Sequence, residues 1–470
     1  MRCSCSSRSG VKVHCADPYS HCLRLRAPAL LAAAILLVLL AGCNRRQAPL
    51  EGQRYSIDTP LEQTVPGAET PAEDQAAAAQ RSRSIRLPAT VNHSAWTHPG
   101  GTPQHRIQHP ALRRPLTLAI ATPIGAGNSK RHRITAVPVS ADGRVFTMDS
   151  RATVSAHTLD GSTIWTRNLT PGGENPDDAS GGGLAVAGGV LYATSSFGTL
   201  TALDVATGRE IWQHDFNVAV TGAPTISGRL IYVVARDGNG WALETRNGRI
   251  LWGLPGTPSL SGFAGGASPA ITDRLVLFPL PTGELVGALK QSGIRVWGDA
   301  VSGGRSGRAY TNFSDISGEP VVSGSTVYVG TPIGRLVALN SRNGERVGTA
   351  TEGAVDTVWP IGGSIFLLSD QNQLVRVDAS SGETIWQVEL PFFADERRRK
   401  QKALVPHFGP VVAGGRVIVA SGDGVLRGYS PESGALVETV DVPSGAAVKP
   451  IVVRGTLYVV SNDGRLLGYR

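Results

Sequence analysis

Ala223-Pro224-Thr225-Ile226-Ser227-Gly228-Arg229-Leu230-Ile231-Tyr232-Val233-Val234 opens a stanza that decides the fold. A turn at Asp237-Gly238 follows, then Trp241-Ala242-Leu243, then Asn247-Gly248-Arg249-Ile250-Leu251-Trp252. Four short β-type runs separated by turn residues predict one small antiparallel sheet. The same pattern returns about eight times between residue 135 and the C-terminus. One such sheet cannot bury both of its faces, so the copies must stack on each other.

A Gly four residues before an outer-strand Trp marks most copies. The Gly positions are 161, 208, 248, 293, 344, 382 and 434, and the Trp positions are 165, 212, 252, 297 and 386. Gly348 and Glu438 stand at the Trp place in two copies. The spacings of 38 to 52 residues suit a four-stranded propeller blade of roughly 40–50 residues. Pro138, Pro224, Pro269, Pro320, Pro360, Pro410 and Pro450 open the first strands, where no ladder hydrogen bond is demanded, and Leu184 replaces Pro in one copy.

The fold expected is therefore all-β: an eight-bladed β-propeller of four-stranded antiparallel blades. The last copy runs from Lys449-Pro450 to Leu466-Leu467-Gly468-Tyr469-Arg470 and ends one strand short. The segment Ser94-Ala95-Trp96 is the sequence candidate for the missing strand, so the ring is expected to close through an N-terminal strand. The repeated Trp residues are expected to pack between blades.

The net charge is +8, and Arg2, Arg8, Lys12, Arg24 and Arg26 against Asp17 account for half of it within residues 1–42. No basic stripe interleaved with aromatics appears, so nucleic acid is not expected as a partner. All five cysteines (3, 5, 15, 22 and 43) precede the repeats, which excludes a disulfide or thiolate site in the ring. Arg24 and Arg26, the apolar run from Ala27 to Leu40, and Leu40-Ala41-Gly42-Cys43 describe an export signal too short for a comfortable membrane span. Leu-Ala-Gly-Cys resembles a bacterial lipobox. That resemblance implies cleavage after residue 42, acylation of Cys43 and, with Asn44 following, retention at the periplasmic face of the outer membrane. Residues 43–90 are rich in Pro, Ala, Gln, Glu and Ser and read as a flexible tether, leaving 91–470 for the propeller.

Several local clusters have competing readings. His98, His105 and His109 could ligate a metal, but no carboxylate flanks them and turn formers surround them, so a surface or blade-packing loop is expected. Gly172-Gly173-Glu174-Asn175-Pro176-Asp177-Asp178 lacks the alternating ligand spacing of a calcium loop and reads as an inter-blade loop. The Gly-rich strings do not open a helix after a strand, which excludes a phosphate cradle. Asp395-Glu396-Arg397-Arg398-Arg399-Lys400-Gln401-Lys402 falls between the sixth and seventh copies. It reads first as a solvated loop, with contact to an acidic partner or lipid headgroups as the alternative.

The stanza, clearest at 184–212 and 320–344, resembles the pyrroloquinoline-quinone-type propeller repeat. Two families share it. The quinoprotein alcohol dehydrogenases imply a quinone beside a vicinal Cys-Cys disulfide, a bound calcium and a catalytic Asp. A ring without cysteine cannot form that disulfide, so an enzyme or ligand-binding propeller is the alternative rather than the main expectation. The second family is BamB, the propeller lipoprotein of the outer-membrane β-barrel assembly (BAM) machinery.

Pro258-Ser259-Leu260-Ser261-Gly262-Phe263 is similar to that family's BamA-docking loop, with Gly262 and Phe263 replacing its second Leu and its Arg. Phe313-Ser314-Asp315-Ile316-Ser317 is similar to its Leu-Ser-Asp-Val-Asp stretch, with Ser317 replacing the second Asp. Arg305 and Arg308 stand close by and can supply the positive charge. The resemblance implies a non-catalytic scaffold with no cofactor and no metal. It would bind the periplasmic (POTRA) domains of BamA and other BAM subunits, and serve unfolded outer-membrane proteins.

Overall fold

The computed structural model describes residues 82–259, 265–301, 303, 315–395 and 397–470. They form eight four-stranded antiparallel sheets set around a ring. Blades 1 to 7 are the consecutive segments 139–168, 182–215, 225–254, 270–300, 321–350, 359–389 and 407–441. Blade 8 takes three strands from residues 451–469 and its outer strand from the other end of the chain. No helix among these residues is long and apolar enough to cross a membrane.

The closing strand is β1 (Leu118–Pro123), which pairs antiparallel with β32 (Arg465–Tyr469), from Leu118 opposite Tyr469 to Pro123 opposite Arg465. Closure by an N-terminal strand is thus as expected, but Ser94-Ala95-Trp96 is not that strand. Trp96 instead bridges Ser140 of blade 1's inner strand and is only 1% exposed. The reason is positional. Ile120 occupies the outer-strand Trp place in blade 8, opposite Gly468 and against Gly161 of blade 1. A Trp signature therefore pointed to the wrong segment. Arg470 completes the seam through Asp160 at 2.7 Å and the Leu159 carbonyl at 3.1 Å.

The Gly–Trp spacing reflects a contact between copies. A Cβ at Gly208, Gly248, Gly293, Gly344 or Gly434 would lie within 3 Å of the ring of the preceding blade's Trp165, Trp212, Trp252, Trp297 or Trp386 respectively. Each of these glycines has φ between +68° and +74° and ends a tight turn between the third and fourth strands, so both the turn and the close approach demand Gly. The Trp165 and Trp212 indoles each donate to a carbonyl of the next blade at 3.0 Å, and those of Trp252 and Trp386 at 3.2 Å. Where Glu438 replaces Trp, Arg114 of the N-terminal segment pairs with it.

In four antiparallel strands wound in sequence, the first–second and third–fourth turns share one end. The second–third turns and the inter-blade loops share the other. These ends define a turn face and a loop face of the ring. Residues 91–112 form a strap across the channel on the turn side. The inner strands would otherwise present a row of unpaired N–H groups to the axis. The amides of Ser140, Val186, Ile226, Ile271 and Val322, in blades 1 to 5, donate to Trp96 O, Thr97 O, His98 Nε2, Pro103 O and Gln104 O at 2.7 to 3.1 Å. Blade 6 has Pro360 at this register, which has no N–H to satisfy. There Trp96 meets Trp359 instead, with ring centroids 6.4 Å apart. Blades 7 and 8 donate from Gly414 to Pro110 O and from Arg454 to His93 O.

Candidate functional site

The loop face carries the described ends of the two connections that hold the docking candidates. The loops entering blades 4 and 5 rise from neighbouring positions on it, because β13 (Ile250–Leu254) leads to β14 (Ala270–Ile271), and β17 (Arg295–Ala300) to β18 (Val321–Ser323). Leu260, Ser261, Gly262, Phe263, Arg305 and Arg308 lie outside the described residues. Cys43 lies outside them as well.

Asp315 and Ser317 are described, and both turn inward. Asp315 is 7% exposed and faces Arg236 of blade 3 at 3.8 Å. Ser317 donates to the Ala354 carbonyl at 3.0 Å, in the loop entering blade 6. The blade 5 loop is thereby tied across blades 3 to 6. These two residues anchor the described end of the loop.

A buried polar cluster that sequence reading missed lies at the channel mouth. Lys449 Nζ meets Glu319 Oε2 at 2.6 Å and Asp356 Oδ1 at 3.0 Å, and donates to the Thr357 hydroxyl. Thr357 in turn donates to Glu319, and Gly409 N donates to Asp356 Oδ2 at 3.0 Å. The signal was present in the repeat. Glu319 and Lys449 each precede a blade-opening Pro, at a register held by Val137, Ala223 and Ser268 elsewhere. Identical register in a closed ring turns both side chains toward the axis, where opposite charges can meet.

Burial alone would raise the Glu319 carboxyl, but Lys449, His105 and the Thr357 hydroxyl together more than offset it and hold the group down at about 2. Burial alone would lower the Lys449 ammonium, yet Asp356 and Glu319 raise it above the ordinary lysine range. A lysine held charged in this way is neither a nucleophile nor an imine former. The cluster therefore acts as an ion-paired fastening of blades 5, 6, 7 and 8.

His98, His105 and His109 are buried in the strap and diverge from one another. His98 Nε2 accepts from Ile226 N at 3.1 Å while Nδ1 bonds Thr97 Oγ1 at 2.9 Å. His105 Nδ1 donates to Pro320 O at 3.0 Å, and His109 Nδ1 donates to Pro88 O at 2.8 Å. They pack blades, the expectation weighed against a metal site above. No group of three or more His, Cys, Asp or Glu is placed to hold a metal among the described residues. The 172–178 segment is an inter-blade loop in which Arg151 pairs with Asp177 at 3.0 Å.

Burial lowers His98 to about 3 and His105 to about 4 from the usual 6.5. Both folded values lie below the unfolded one. The stability held by the neutral rings is therefore complete above pH 6.5 and lost as pH falls toward 4 and then 3. His98→Gln keeps an acceptor for Ile226 N without titrating. It is expected to flatten the fall in urea midpoint between pH 6.5 and 4, and an unchanged slope would refute this origin of the acid sensitivity.

A family model described as outer membrane protein assembly factor BamB matches residues 150–388 and 395–470. The BamB of Yersinia pestis is 24% identical over 332 residues, covering 69% of this chain and 81% of the relative. The crystal structure of BamB from Moraxella catarrhalis aligns with TM-score 0.62 at 19% identity, over 76% of this chain and all of that one. Quinohemoprotein alcohol dehydrogenase from Comamonas testosteroni aligns with TM-score 0.61 at 15% identity, over 84% of this chain and 83% of that one. At such identities both structures speak to the ring and not to its chemistry.

Proposed function

Because the chain belongs to the family of the outer-membrane protein assembly factor BamB, we propose that it is a non-catalytic scaffold of the BAM complex. It would bind the periplasmic POTRA domains of BamA through the loop face and help unfolded outer-membrane proteins reach the insertion machinery. The observation carrying this reading is that both loops resembling the family's docking segments rise from adjacent blades on one face of a rigid ring. A preorganised platform of this kind limits the ordering entropy of association.

In this reading Leu260 and Phe263 form the apolar anchor, with Ser261 and Gly262 between them, and Arg305 and Arg308 supply charge. Asp315 and Ser317 hold the second loop in place. Acylated Cys43 would fix the chain to the periplasmic face of the outer membrane, and the following residues would act as a tether. The strap side receives that tether. Arg83 pairs with Asp378 at 2.6 Å, and Ile85 lies against Gly362, both on the turn face.

Leu260→Asp combined with Phe263→Asp is expected to lower capture of BamA's periplasmic domains in a pull-down by about tenfold or more, with an unchanged melting temperature. Capture at the level of the unsubstituted chain would overturn the assignment of these loops. Asp315→Arg is unsuited to this test, because it sets a second guanidinium against Arg236 in a buried setting.

A further inference from the structure

The loop between blades 6 and 7 is built as a finger. Phe393 bridges Leu404 in antiparallel fashion, Val405 N donates to Phe392 O at 3.0 Å and Ala394 N to Ala403 O at 2.9 Å. Its foot is pinned on both sides. Asn372 Nδ2 donates to the Leu390 and Pro391 carbonyls, and His407 Nε2 bonds Pro391 O at 2.9 Å. Residues 395–402 at the tip hold five basic side chains against two acidic ones. Arg397 is largely exposed and paired with Asp395. Arg399, Lys400 and Lys402 are exposed and make no ion pair among the described residues. Two large apolar side chains stand in solvent on the stem, Phe392 at 39% and Leu404 at 61% exposed. The family match breaks at residues 389–394, at the foot of this finger. The match resumes at residue 395, so the basic tip lies within the matched stretch.

We propose that this finger is a membrane-contact element that binds anionic phospholipid. The basic tip would engage headgroup phosphates while Phe392 and Leu404 enter the acyl boundary. Clustered Lys and Arg beside exposed aromatic and aliphatic groups is the chemistry of interfacial attachment. A narrow convex projection suits a headgroup layer. A folded acidic protein would instead need a patch of about 800 Å² per partner, which the finger alone does not offer. The proposal goes beyond the scaffold reading and uses none of the residues assigned to BamA.

The test is co-sedimentation of the chain from Asn44 onward, which keeps every described strand and lacks the acyl-bearing cysteine. The vesicles are pure phosphatidylcholine or phosphatidylcholine with about one third phosphatidylglycerol. The chain is expected in the anionic pellet only, and less so at high salt. Arg399→Glu with Lys400→Glu and Lys402→Glu is expected to cut the bound fraction by at least about tenfold, with an unchanged melting curve. Phe392→Ser with Leu404→Ser is expected to weaken binding and steepen its salt dependence. The idea is overturned if the unsubstituted chain stays in the supernatant, or if the charge-reversed chain pellets equally. It is overturned too if the finger retains an acidic protein while ignoring vesicles. Capture of BamA's domains is expected to be the same for all of these variants, so failure here leaves the scaffold reading intact.

Discussion

A chain beginning at Ala126 is expected to melt without a cooperative transition and to elute as aggregates in size-exclusion chromatography. It lacks both the strap and β1. Loss of β1 uncovers the edge of β32, an unprotected template for pairing with other chains. It also removes Ile120 from its place against Gly161 and Gly468. Loss of the strap unmakes the inner-strand hydrogen bonds of blades 1 to 5 and the adjoining turn hydrogen bonds of blades 7 and 8. At roughly 0.5–1.5 kcal/mol net per bond, that approaches the whole stability of a typical domain, about 5–15 kcal/mol. A chain beginning at Leu116 separates the two roles. It keeps β1, so it is expected to stay monomeric and cooperative but to melt lower. A monomeric, cooperatively melting chain from Ala126 would refute the closure argument.

Lys449→Met is expected to cost about 3–5 kcal/mol, because it strands the Glu319 and Asp356 carboxylates at the channel mouth without their cation. Urea unfolding at neutral pH checks the size. The pH dependence checks the cause. In the unsubstituted chain Glu319 titrates at about 2, below its ordinary 4.5. Its contribution is therefore present above 4.5 and lost as pH falls toward 2. Without Lys449, burial dominates and raises the carboxyl, so protonation relieves the variant. The deficit is expected to shrink on acidification. A deficit that stays constant from pH 7 to 4 would show that packing, and not charge, is what the lysine supplies.

The blade architecture was legible because turn chemistry and strand alternation recur in every copy. The Gly–Trp pair was legible as a mark of each repeat. Its meaning as an inter-blade contact was not, since Gly208 answers to Trp165 of the preceding copy and not to Trp212 of its own. That a strand was missing from blade 8 could be read from where Tyr469-Arg470 falls in the stanza. Which segment supplies it could not, because Leu118-Ala119-Ile120 carries no Trp and Trp96 is used to fill the channel. The three strap histidines read as loop residues because their partners, Ile226, Pro320 and Gly415, lie far away in sequence. Glu319 and Lys449 were visible only once the ring placed equal registers face to face.

The seam between β1 and β32 joins residues 118–123 to 465–469. As the chain leaves the ribosome, the first strand made must wait for the last before either has a partner. Any copy cut short by a stop codon, a stalled ribosome or a nick near the C-terminus keeps both margins raw and cannot finish assembly. The molecule thus inspects its own completeness, and incomplete copies present themselves to proteases.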